Sequence, residues 1–145
     1  GRLSPAAVAY REALTLRQTL GEHSGALEAL AGLARVSLAQ GDRLQAHAQV
    51  EGILDSLEND AKALDGAEEP FRVYLTCYQV LLANQDPRAG DILNTANRLL
   101  RERAARIGDK EFQRSFLEDV RVHQEIIREY VRSPGECHPG QRTDG

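Results

Sequence analysis

Methionine and tryptophan are absent from the chain, and only three phenylalanines, four tyrosines and two cysteines occur among its 145 residues. So few cysteines exclude a disulfide framework: Cys77 lies inside an apolar run and Cys137 in a polar Pro/Gly stretch, which makes a reducing, cytoplasmic setting the expectation. The opening GRLSPAAVAY lacks the charged start and apolar core of a secretory signal. The longest nearly apolar run, Val73 to Ala83, is too short to cross a bilayer. Positive charge is also short: 18 Lys and Arg against 22 Asp and Glu leave a net charge of −4. That balance builds no field to concentrate nucleic acid or an anionic membrane, so neither is an expected partner. A chain that starts at Gly1 and holds no methionine reads as a segment of a longer protein.

Alanine, leucine, arginine and glutamate dominate instead, and the β-branched residues come singly, a composition that favours helices and predicts an all-α fold. Ser4-Pro5 supplies an N-cap and a first-turn proline, predicting helix one over Pro5 to Thr19 with Gly21 as its stop. A second helix runs to Gln40, with Gly41 placed for the left-handed C′ conformation. Asp42 caps a third that the apolar pattern carries to about Leu64, before Asp65-Gly66. Pro70 opens a fourth, the most apolar, and Asp86-Pro87 a fifth closed by Gly108. Asp109 caps a sixth in which Phe112, Phe116, Val120, His123, Ile127 and Tyr130 share one face to about Val131. The expected organisation is one helical domain over residues 1–132 and a disordered polar tail over 133–145.

Ala6, Ala46 and Ala89 each open a similar stretch, AAVAYREAL, AHAQVEGIL and AGDILNTAN, at spacings of 40 and 43 residues. Self-similarity on that scale marks stacked repeats, since one such unit cannot bury its apolar face alone. The run Leu30, Leu33-Ala34, Ser37, Gly41-Asp42, Ala46, Val50, Ile53-Leu54 resembles a tetratricopeptide repeat. A second copy is read at Val73, Thr76-Cys77, Val80, Asn84-Gln85, Ala89, Leu93 and Ala96, and helix one resembles the second helix of a copy lacking its first. The period exceeds that family's usual ~34 residues, and Leu30 and Val73 fill its tryptophan place. Longer repeats of this kind are similar to the closing part of arrays in large bacterial signalling proteins, such as adenylate cyclases and regulators with helix-turn-helix output domains.

The resemblance implies a right-handed superhelical stack closed by a capping helix, and a non-enzymatic protein-interaction or scaffold role. The implied partner is a protein, a peptide or another domain of the parent chain. Its concave face, by repeat register, presents Glu28, Ala31, Arg35 and Leu38 from helix two and Phe71, Tyr74, Tyr78 and Leu81 from helix four. Tyr74 and Tyr78, one turn apart, form either a peptide-anchoring stripe or a seat for helix six. Arrays that clamp a terminal carboxylate use Lys, Asn and Arg on this face, so Ala31, Tyr74 and Tyr78 disfavour that ligand. The alternative role is self-association through the stack end, where Val8, Tyr10 and Leu14 of helix one lack a cover.

No residue pattern asks for chemistry. His23, His47, His123 and His138 do not combine with the cysteines at metal-knuckle spacing, and no cofactor is expected. Cys77 has no activating base beside it and reads as a packed thiol, and His123 as a hydrogen-bonded interfacial histidine. Arg98, Arg101, Arg103 and Arg106 spread around their helix and read as a solvated face. Glu68-Glu69 and Glu58/Asp60 lack a partner to split their pKa values. Glycine-rich phosphate loops and the nucleophile-elbow motif are missing, so the chain is expected not to be an enzyme.

Overall fold

A computed structural model describes residues 4–132, and the predicted polar tail lies outside the described residues. Seven helices are found among them: α1 (Pro5–Thr19), α2 (His23–Ala39), α3 (Arg43–Asn59), α4 (Pro70–Ala83), α5 (Arg88–Ala105), α6 (Lys110–Glu118) and α7 (Arg121–Arg132). The fold is all-α, as expected. Local chemistry sets most boundaries. The Ser4 hydroxyl accepts from the Ala7 amide ahead of α1, and the Asp42 and Asp109 carboxylates do the same for the first turns of α3 and α6.

One helix-stop is used three times. After α1 and α2 the chain passes through Gly21 (φ 74°) and Gly41 (φ 82°), and the next amides, Glu22 and Asp42, return to the carbonyls of Arg17 and Ser37. After α4 the same bond runs from the Asp86 amide to the Leu81 carbonyl, but the left-handed residue is Gln85 (φ 57°). The matching position is thus one residue beyond the Asn84 that the repeat alignment places there.

The helices pack as pairs in a helical stack. α2 lies between α1 and α3, α4 packs on both α2 and α3, and α7 packs on both α4 and α5. Leu81, Val80, Cys77, Ala34, Ala46, Val50, Ile53 and Leu100 have no solvent exposure, and they belong to one core cluster that runs through the stack. Ala46 and Ala89 are buried as the repeat requires, but Ala6 is exposed and Ala7 takes the inward place, so the first copy is displaced by one residue.

Three predicted boundaries are corrected. α3 ends at Asn59 rather than near Leu64, because the Asp60 carboxylate accepts from the Lys62 amide and starts consecutive turns that fold Ala63 and Leu64 into the core. α5 ends at Ala105, before Gly108, with an Ile107 to Ala104 turn. The sixth predicted helix is two, α6 and α7, broken at Asp119-Val120. In a straight helix Phe116 and His123 would sit about 10 Å apart along the axis. Their ring centroids are 4.4 Å apart, a distance that requires the chain to bend between them. The single face predicted there divides accordingly: His123 is buried, Ile127 and Tyr130 are half-buried, Phe112 and Val120 are exposed, and the fully buried position is Ile126, outside that face.

Candidate functional site

α3 and α5 both pack on α4, and their backbones stay apart from each other. The space between them is a groove of about 530 Å³. Tyr74 and Leu81 of α4 lie along it, with Leu54 and Leu57 of α3 on one side and Ile92 and Leu99 of α5 on the other. Each pair recurs at helical spacing of three or seven, so the walls are ridges of α-helix. Glu58, Asp91 and Arg98 stand at the rim, Arg98 in an ion pair with Glu102 at 3.2 Å.

A polar clasp ties α3 to the start of α5, and Arg88, which also lines the groove, is its centre. Arg88 Nε donates to Asp86 Oδ1 at 3.0 Å and one terminal nitrogen to Asp86 Oδ2 at 2.7 Å, and its guanidinium bridges to Glu51 on α3. His47, one turn before Glu51, meets Asp86 Oδ2 through Nε2 at 2.9 Å. The Arg88 guanidinium holds the carboxyls of Asp86 and Glu51 below their usual range, and those carboxylates raise Arg88 in turn. His47, Glu51 and Asp86 offer three ligand atoms within 4.8 Å of one another, the set among the described residues that could hold a metal ion. Arg88 already bridges the two carboxylates, so a divalent ion would have to displace it.

The eight residues predicted for the concave face do not form one surface, and Ala31 is fully buried. Glu28 and Arg35 border a small recess with Tyr10 and Arg72, where both are engaged inside the protein. Glu28 accepts from the Glu69 amide at 2.7 Å, and Arg35 donates to Thr76 at 3.0 Å and to the Tyr10 hydroxyl at 3.3 Å. Leu38 is half-buried against the core. Phe71 and Tyr78 are buried beneath the last two helices: Phe71 meets the rings of Phe116 and His123, and the Tyr78 hydroxyl donates to Glu129 of α7 at 2.9 Å. Of the set, Tyr74, half-buried, and Leu81 line the groove. The two alternatives for Tyr74 and Tyr78 therefore divide between them. The apolar spacing of Leu54, Leu57, Ile92 and Leu99 in the sequence does not separate a groove wall from a buried stripe.

The histidine and cysteine readings hold in geometry. His123 is buried, its Nδ1 donating to the Phe116 carbonyl at 2.6 Å, and burial lowers its pKa. Cys77 is fully buried, and burial pushes its thiol up to about 12. Of the residues expected to lack a cover, Tyr10 is half-buried with its ring over Gly32 and Leu14 is half-buried as well, which leaves Val8 and Leu16 of α1, with Leu20 at its C-cap, as the exposed large apolar residues there. No described helix is long and apolar enough to cross a membrane. Comparison of the chain with protein-family models, with curated proteins and with solved structures finds no match.

Proposed function

We propose that the chain is a non-enzymatic interaction module whose partner segment lies in the groove between α3 and α5. The observation that carries this reading is an open, apolar-walled channel between two helices at the surface of the stack. Two helices held apart over a third leave a slot into which a fourth fits, completing a four-helix arrangement. The tetratricopeptide-like character, the right-handed superhelix and the place in a larger bacterial signalling or transcription-regulatory protein rest on the sequence resemblance, and the cytoplasmic setting on the scarcity of cysteine.

Selection of helical peptides from a display library, with a groove-filling Thr95→Trp variant as counter-target, tests the proposal. Peptides that bind the native chain and lose at least about tenfold in affinity for Thr95→Trp support it. Enriched peptides that bind both proteins equally would refute it, provided Thr95→Trp retains its helical content and melting transition. Leu57→Arg, on the opposite wall, serves as the second variant.

Self-association through α1 is the second reading, favoured by the exposure of Leu16 (59%) and Leu20 (61%). Light scattering on a size-exclusion column separates the two. A constant monomer mass over a hundredfold concentration range favours the groove, and a dimer that dissociates on dilution and is lost in Leu16→Glu favours α1.

A further inference from the structure

We propose that the occupant of the groove is a basic amphipathic helix, with one apolar stripe and lysine or arginine along its flanks. The proposal rests on reading the groove as a partner surface and adds the partner's chemistry. Apolar contact is supplied by the half-buried Leu57, Tyr74, Ile92 and Leu99, backed by the buried Leu54 and Leu81, in helical ridges suited to side chains spaced three, four and seven apart.

The sign of the flanks follows from which rim charges are already neutralised. Both groove arginines are engaged within the protein: Arg88 with Asp86 and Glu51, and Arg98 with Glu102. Glu58 on the α3 rim and Asp91 on the α5 rim have no ion pair among the described residues. Asp55, exposed and nearly one turn before Glu58, adds a third such carboxylate on α3. The uncompensated charge on both sides of an apolar slot is therefore negative, and an arriving helix meets it best with a cation on each flank. An acidic helix would set like charges against each other on both rims.

Two labelled peptides with the same leucine stripe, one flanked by lysine and one by glutamate, test this by fluorescence anisotropy. The targets are the native chain, Glu58→Lys/Asp91→Lys, and a control, Glu12→Lys/Glu111→Lys, that changes net charge equally at two exposed sites away from the groove. The native chain should bind the lysine peptide about tenfold or more tighter than the glutamate peptide, with the advantage lost in the groove variant and kept in the control. Equal binding of the two peptides, or equal loss in the control, would overturn the proposal. Thr95→Trp tells that failure from failure of the interaction reading: if it displaces both peptides alike, the groove binds helices without regard to charge. If it displaces neither, both readings fall.

Discussion

At Gln85 a residue with a side chain occupies the left-handed position that glycine fills at the two equivalent helix stops, Gly21 and Gly41. Gln85→Gly should relieve the steric cost of that conformation and stabilise the protein by about 0.5 to 1 kcal/mol, less whatever the freer unfolded chain takes back. A denaturant midpoint unchanged or lowered would contradict it. Gly32 has the opposite logic. A Cβ there would lie 2.2 Å from a Tyr10 ring carbon, so the glycine inside α2 exists to seat the tyrosine. Helix propensity favours alanine by about 1 kcal/mol. Gly32→Ala should nonetheless destabilise the native chain and turn stabilising in a Tyr10→Ala background, a sign reversal that equilibrium unfolding of the four proteins would reveal. Gly52 is less constrained, with one Leu30 methyl 3.3 Å from such a Cβ. The sequence alone gave no reason for these interior glycines, because the reason lies in side chains on other helices.

At the scale of elements, α6 and α7 close the stack by clamping Phe71, and His123 is the titratable group in that clamp. Burial lowers its folded-state pKa below the ordinary histidine value near 6.5, so the unfolded chain binds the proton more readily. The stability this burial contributes is complete above about pH 6.5 and is lost as pH falls below that value. Thermal melts of the native chain should thus show a falling Tm from pH 7 to 5.5, and His123→Phe should flatten that slope. An unaltered slope would mean that His123 is not the group responsible. Asp86 and Glu51 act at lower pH, since the stability from their depressed pKa values is present above the ordinary carboxylate range and lost as acid protonates them. Helix starts were legible because they are written in adjacent residues, as at Ser4-Pro5, Asp42 and Asp109. The ends of α3 and the break after α6 were not. Apolar periodicity ran through both, and the chain turns there to bring Leu64 into the core and Phe116 onto His123.

For the whole molecule, the recurring alanines fixed the stacking of helices with an error of one residue at Ala6, but they carried no information on how far α3 and α5 stand apart. That separation depends on the bulk of α4 between them and on the clasp of Arg88 with Glu51 and Asp86, residues 37 and 2 positions away in the chain. The predicted binding face failed to assemble for the same reason: register told which residues share a helix face, and the packing of α7 decided that Phe71 and Tyr78 are covered while Tyr74 borders the groove. The central claim is that the α3–α5 groove is where this chain meets a partner helix. Its most direct test is nuclear magnetic resonance of the isotope-labelled protein titrated with the lysine-flanked peptide. The account predicts shift changes concentrated at Leu54, Leu57, Leu81, Ile92 and Leu99. Changes concentrated at Val8 and Leu16 of α1 and at Leu20 just after it, or scattered evenly over the surface, would contradict it.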